Sequence, residues 1–198
     1  FGIKEMEVRL NSIGSAEIRP AYLELLRTTL EKNKSELCET CNIRLKKNAL
    51  RIFDCKKSKC QEILDEKAPY IFNSISDDDR MHFDYVTRML DEMNIPYNHD
   101  NTLVRGLDYY SHTTFEIISS ELGAQDALCG GGRYNSLMEQ LGGKSTPAVG
   151  FAAGMERLIL VLGKKQISDC PPDIYFITMG EDANILANRI TRELRKEC

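Results

Sequence analysis

Arg105, Asp108, Tyr109 and Tyr110 stand close together near the start of the run LVRGLDYYSHTTFEI, Leu103 to Ile117. The remainder of that run is rich in Thr, Phe and Ile and reads as a β-strand. A strand that opens on a cation, an anion and two phenols suits the floor of a polar pocket. Arginine offers a planar fork of donors that fits a carboxylate or a phosphate. Each tyrosine adds a flat apolar face and a hydroxyl, and Gly106 lets the backbone bend or approach closely. Together they can hold a small anion beside a flat polar ring. The same residues also read as an Arg–Asp ion pair at a strand end, with two tyrosines half packed in a core.

Two glycine-bearing stretches follow. In CGGGRYNSL, Gly130, Gly131 and Gly132 precede a short helix, where backbone N–H groups can come near an anionic ligand. Plain turns have the same composition. In GFAAGMERL, Gly154 opens a helix whose third residue is Arg157. The helix dipole disfavours a cation in the first turn, so Arg157 either reaches toward a phosphate or packs against Glu156 or another acid.

A different chemistry is offered upstream. The chain has seven cysteines, and Cys38, Cys41, Cys55 and Cys60 cluster, whereas Cys129, Cys170 and Cys198 are scattered. Two thiol pairs separated by a short segment can make a tetrahedral four-thiolate zinc site, closed to water and remote from Arg105; the alternative is four free thiols. With no secretion signal, a disulfide framework is not expected. The cysteines are interleaved with Arg44, Lys46, Lys47, Arg51, Lys56, Lys57 and Lys59, against the single acid Asp54. Such a run either contacts nucleic-acid phosphates or forms a solvated face.

These groups need elements to position them. MEVRLNSIG alternates with Met6, Val8 and Leu10 on one side, a half-buried strand. Ile18 to Glu31 is helical, with Tyr22, Leu25, Leu26, Thr29 and Leu30 on one face. The clearest helix starts at an N-cap, Ser76, followed by Asp77, Asp78 and Asp79. It buries Val86, Met89, Leu90 and Met93, and Pro96 ends it. TTFEIIS, ALCGGGRY and PAVGFAAG read as strands, YNSLMEQLGG as a short helix, and MERLILVLG as an apolar, buried helix. KKQISDCPP reads as a linker, PPDIYFITMG as a buried strand, and Asp182 to Lys196 as an amphipathic helix with Ile185, Ile190 and Leu194.

The bulk numbers are those of a globular chain: 198 residues, 42% hydrophobic, 28% charged, net charge −4. No apolar run approaches the roughly 20 residues of a membrane span. The chain begins at Phe1 and stops within a helical pattern, so it reads as a piece of a longer protein.

LVRGLDYYSHTTFEI, GGGRYNSLMEQLGG and PAVGFAAGMERL, in this order and spacing, closely resemble the histidyl-tRNA synthetases. LNSIG and NALRIFDCK extend the resemblance over nearly the whole chain. It implies an α+β fold: part of a class II synthetase antiparallel sheet with a helical insertion, then the first β-α unit of an α/β anticodon-binding domain. Residues 1–14 would be a core strand, 15–98 the insertion, 99–163 the rest of the catalytic core, 164–170 a linker and 171–198 the start of the anticodon-binding domain. The first two class II motifs are not in the sequence.

The resemblance further implies a histidine–tRNA ligase, a class II enzyme that activates L-histidine with ATP and Mg2+ and transfers it to tRNA(His). The fragment alone would be inactive, the whole protein a cytoplasmic homodimer. Arg105 would be the catalytic cation and would also touch the histidine carboxylate. Tyr109 and Tyr110, with Gly130, Gly131 and Gly132, would form the histidine site. Arg157 and Gly154 would hold ATP. Lys46, Lys47, Lys56 and Lys57 would meet tRNA, and the family does not require zinc at the cysteines. Competing readings are a synthetase-like regulatory subunit of histidine biosynthesis and a non-catalytic tRNA-sensing module.

Overall fold

The computed structural model describes residues 3, 5–123, 126–163 and 174–196. The expected linker, 164–170, lies outside the described residues. β1 (Glu7–Ser12) leads into α1 (Arg19–Glu31), α2 (Glu39–Lys47), a 3-10 turn at Ala49–Asp54, α3 (Ser58–Lys67), a second such turn at Ile71–Ser74, and α4 (Asp77–Glu92). β2 (Tyr97–His99), β3 (Ser111–Ile118), β4 (Ala127–Arg133), α5 (Leu137–Gln140), β5 (Val149–Ala153), α6 (Met155–Leu162) and α7 (Glu181–Lys196) follow.

The five strands form one sheet in the order β2-β1-β3-β4-β5. β2 runs parallel to β1 and every other pair is antiparallel, so the sheet is mixed where an antiparallel one was expected. The cause is the connection. Parallel neighbours need a long crossover, and the helical block between β1 and β2 supplies it.

Register separates two chemically distinct faces. Arg9, Glu116, Gly130 and Ala152 stand side by side across four strands, and Asn11, Thr114, Gly132 and Gly150 form the next row. That face is polar and small. The opposite face carries Val8, Leu10, Phe115, Ile117 and Phe151. α4 lies over its inner part, where Val86, Leu90 and the β1 and β3 residues line an apolar cavity of about 670 Å³.

α4 starts as the sequence predicts. Ser76 accepts the Asp79 backbone N–H at 3.1 Å, satisfying a donor that the helix cannot. Its buried positions are Asp79 and Phe83, one to two turns earlier than expected, and the expected stripe is only half-buried. α1 buries Tyr22, Leu26 and Leu30, but Leu25 is exposed. These α1 residues belong to a continuous core with Leu45, Leu50, Ile52, Ile63, Leu64, Ile71, Val104 and Tyr110.

The C-terminal third differs from expectation. α6 leaves Met155, Ile159 and Leu160 exposed and buries Leu162. β5 is the outer strand, and Val149 and Phe151 are each 71% exposed. The apolar patterns there are real, but no layer among the described residues covers that side. Residues 174–179 form no strand, and Ile174, Tyr175, Ile177 and Met179 are exposed. A single extended segment gains little without a neighbouring edge to pair with, and none among the described residues adjoins it. α7 buries no residue and meets α4 through polar contacts, Arg88 with Glu181 and Arg192 with the Met93 carbonyl. No helix among the described residues is long and apolar enough to cross a membrane.

Candidate functional site

The polar face of the sheet becomes a site because a loop lays Arg105 and the tyrosines over it. Asn11, fully buried on β1, starts the arrangement. Its Nδ2 donates to the Leu103 carbonyl at 3.0 Å and to the Asn101 carbonyl at 3.3 Å, fixing the strand under the loop. Asp100 closes the turn by accepting from the backbone N–H and hydroxyl of Thr102.

Beyond that anchor, Arg105 reaches the floor. Its Nη1 donates to Glu116 Oε1 at 2.6 Å, and its guanidinium carbon lies 5.7 Å from the Tyr110 ring centroid. The alternative reading, an ion pair between Arg105 and Asp108, is not what forms. Asp108 lies toward the insertion, where its carboxylate accepts from Asn48 at 3.4 Å. Burial pushes the Glu116 carboxyl up, and the Arg105 charge pulls the other way. The Arg105 Nε is buried without a hydrogen-bond partner.

The glycines are explained by close approach. A Cβ on Gly130 would lie 2.6 Å from Arg105 Nη1, and one on Gly132 would lie 2.9 Å from Tyr110 Cδ1 and 2.7 Å from the Thr113 carbonyl. Both sit under the site on the polar face. Gly131 points the other way, and a Cβ there would collide with the Gly150 carbonyl and Phe151. Gly130 to Gly132 are therefore strand residues of β4, not a turn that cradles an anion on a helix start.

Three tyrosine rings cluster beside this glycine floor. Tyr109 and Tyr110 have centroids 4.6 Å apart, and Tyr134 stands edge-on to them at 5.5 and 6.0 Å. Burial raises the Tyr110 phenol, and its hydrogen bond with Tyr109 adds to this. The loop that carries both is held by the insertion: Arg19 of α1 donates to the Asp108 carbonyl at 2.7 Å and also to the Tyr110 carbonyl. A register shift in β3 follows at Ser111/Thr114, with His112 at φ +52°. His112 Nδ1 lies 2.8 Å from Asp79 Oδ1. Burial raises the Asp79 carboxyl, but the Ser15 N–H, the Ser76 cap and His112 outweigh it and hold it low.

Glu116, Tyr134, Asn11 and Arg19 help build this candidate site and were not singled out from the sequence. An acid within the apolar run TTFEIIS was the available signal for Glu116. Nothing local marked Arg19, which acts across 91 residues.

Arg157 stands in the first turn of α6 and donates from Nη1 to the Ala127 carbonyl at 2.6 Å. Gly154 caps that helix, and its N–H bonds the Leu128 carbonyl. Arg157 is thus tied to the start of β4, three residues from Gly130.

The four clustered cysteines converge. Their Sγ atoms all lie within 4.8 Å of one another. Cys38 caps α2 and Cys41 lies in its first turn; Cys55 ends the 3-10 turn and Cys60 lies in the first turn of α3. Cys41, Cys55 and Cys60 are buried. Lys46, Lys47, Lys56 and Lys57 all lie exposed on the same segment.

Known proteins resemble this chain along nearly its whole length. Residues 9–158 match the family model described as histidyl-tRNA synthetase. The histidine–tRNA ligase of Halothermothrix orenii is 48% identical over 99% of this chain and 47% of its own length. That of Acetivibrio thermocellus is 44% identical over all of this chain and 48% of its own. Among solved structures, apo histidyl-tRNA synthetase from S. aureus superposes with a TM-score of 0.62 at 35% identity, covering 99% of this chain and 48% of that one. The chain spans about half the length of the curated relatives it matches. With the signature runs built into one polar floor, and the family model spanning all of the residues on it, the chain belongs to the histidyl-tRNA synthetase family.

Proposed function

We propose that this chain is the histidine-recognising part of a histidine–tRNA ligase, which in the whole protein activates L-histidine with ATP and Mg2+ and transfers it to tRNA(His). One observation carries the reading. Arg105 is held over a glycine floor, oriented by Glu116 and walled by Tyr109, Tyr110 and Tyr134. A cation, a flat aromatic slot and phenolic hydroxyls are what an amino acid with an imidazole side chain requires. The names of the relatives favour catalysis over a regulatory or tRNA-sensing role.

In activation, the histidine carboxylate attacks the α-phosphorus of ATP and pyrophosphate leaves. Two anions must meet, and charge grows on the phosphoryl oxygens. Arg105 neutralises that charge from a fixed position, which costs no reorganisation during the reaction. Tyr109 and Tyr110 hydrogen-bond and stack the imidazole, and a substrate lacking ring nitrogens would leave the phenols unpaired. Glu116 positions Arg105 and does not itself react. Arg157 and Gly154 serve the ATP end. Ala127, which Arg157 holds, is about 10 Å along β4 from Gly130, a span that an aminoacyl group and a triphosphate can bridge. Lys46, Lys47, Lys56 and Lys57 meet the tRNA backbone. The four cysteines take no part in this chemistry; a zinc ion there acts on the fold of the insertion. On the resemblance alone, the whole protein is read as a cytoplasmic homodimer.

The test uses the whole protein. Arg105→Ala lowers kcat for histidine-dependent pyrophosphate exchange by about 100- to 1,000-fold with little change in the KM for ATP. Arg105→Lys, which keeps charge but not the fork, recovers part of it. An unchanged kcat in Arg105→Ala would return Arg105 to a purely structural ion pair with Glu116.

A further inference from the structure

We propose that Cys38, Cys41, Cys55 and Cys60 bind one Zn2+ as four thiolates, and that the ion staples the segment between the two cysteine pairs. The geometry is the first argument. A tetrahedral ion with Zn–S bonds of about 2.3 Å sets its ligands about 3.8 Å apart. Here the Cys38 and Cys55 sulfurs are 4.0 Å apart, and no pair among the four exceeds 4.8 Å. Ligation therefore needs a contraction of about 1 Å or less, within reach of side-chain rotation. All four cysteines are free, with no disulfide among them.

The surroundings are the second argument. Cys41, Cys55 and Cys60 are buried and Cys38 is partly so, which leaves no open position for a substrate or a reactive water. The Cys38 backbone N–H already points at Cys60 Sγ, 3.3 Å away. Backbone donors of this kind stabilise thiolates in metal knuckles. Four thiolates and one Zn2+ carry a net charge of −2, and Lys56, Lys57 and Lys59 lie between the last two ligands. A closed, all-sulfur, tetrahedral set selects zinc among redox-inert divalent ions.

The segment spanned by the cluster also touches the site. Asn48 donates to Asp108, and Arg51 lies against Gly106. The ion thereby firms up one support of the tyrosine-bearing loop without contacting substrate. This inference stands on the four sulfurs alone and does not depend on the ligase reading.

The whole protein that carries this chain, purified without added metal, is analysed for zinc and iron. About one zinc per chain is expected, with mercurial titration of the native thiols releasing it to a colorimetric chelator. Cys41→Ser and Cys60→Ser each lower the zinc content at least tenfold, whereas Cys129→Ser leaves it unchanged. Because the serine variants can fail to fold, release from the unaltered chain is the deciding measurement. Less than a tenth of an equivalent of zinc, with the four thiols titrating freely in the native state, overturns the proposal. So does iron in place of zinc, or zinc retained in both serine variants.

Discussion

The insertion and the β5–α6 edge both carry apolar sequence, to opposite effect. In the insertion, Leu26, Leu30, Ile52 and Ile71 interlock with Val104 and Tyr110 in one closed core. Along the edge, Phe151, Ile159 and Leu160 face outward. An apolar pattern states that a face is to be covered, and says nothing of what covers it. The site sits at the seam between the two, braced from the insertion by Arg19 and Asn48 and open toward the edge at β4.

Substitutions along that seam sharpen the contrast. The largest loss is expected at Leu26→Ala, which empties a fully buried position and costs about 2–5 kcal/mol; a loss under about 1 kcal/mol in urea unfolding would show that the insertion core is loose. Next comes Gly131→Ala on β4. The new Cβ meets backbone, not a yielding side chain, so β4 and β5 must part at a cost of about 1–3 kcal/mol. The paired change Gly130→Ala meets only the end of the Arg105 side chain and is expected to cost less stability. If the two variants unfold at the same urea concentration, the β4–β5 contact is not what demands glycine. The smallest effect belongs to the edge: Ile159→Ser should shift stability by no more than about 0.5 kcal/mol while reducing binding of a dye that reports exposed apolar surface. A loss comparable to that of Leu26→Ala would mean that Ile159 is covered in solution.

Much of this was legible from local chemistry. The Ser76 cap, the α1 core residues Tyr22, Leu26 and Leu30, and the strands carrying the glycines followed from spacing. So did the grouping of four cysteines, although only the structure shows their sulfurs converging. Glu116 escaped because alternation assigns a residue to a face without saying which face is the site. Register with Gly130 decides that, and register is a property of three strands together. Arg19 escaped because its partners are carbonyls, which no side-chain pattern marks. Residues 174–179 carried a strand signal that no adjacent edge among the described residues satisfies.

The parallel seat of β2 beside β1 has a consequence for the order of assembly. Asn11 and Asn101, joined across that part of the sheet, are 90 residues apart in the chain. Closing a flexible loop of that length costs about 4 kcal/mol in entropy, and the short β2 strand offers little in return. If the helical block collapses first, it brings its own two ends together and the effective loop shrinks. The insertion then acts as a splint: once it is folded, the strand that leads to Arg105 arrives already next to its place. Sequence added to or removed from the outer helices leaves that arrival intact, provided the two ends stay one strand-spacing apart.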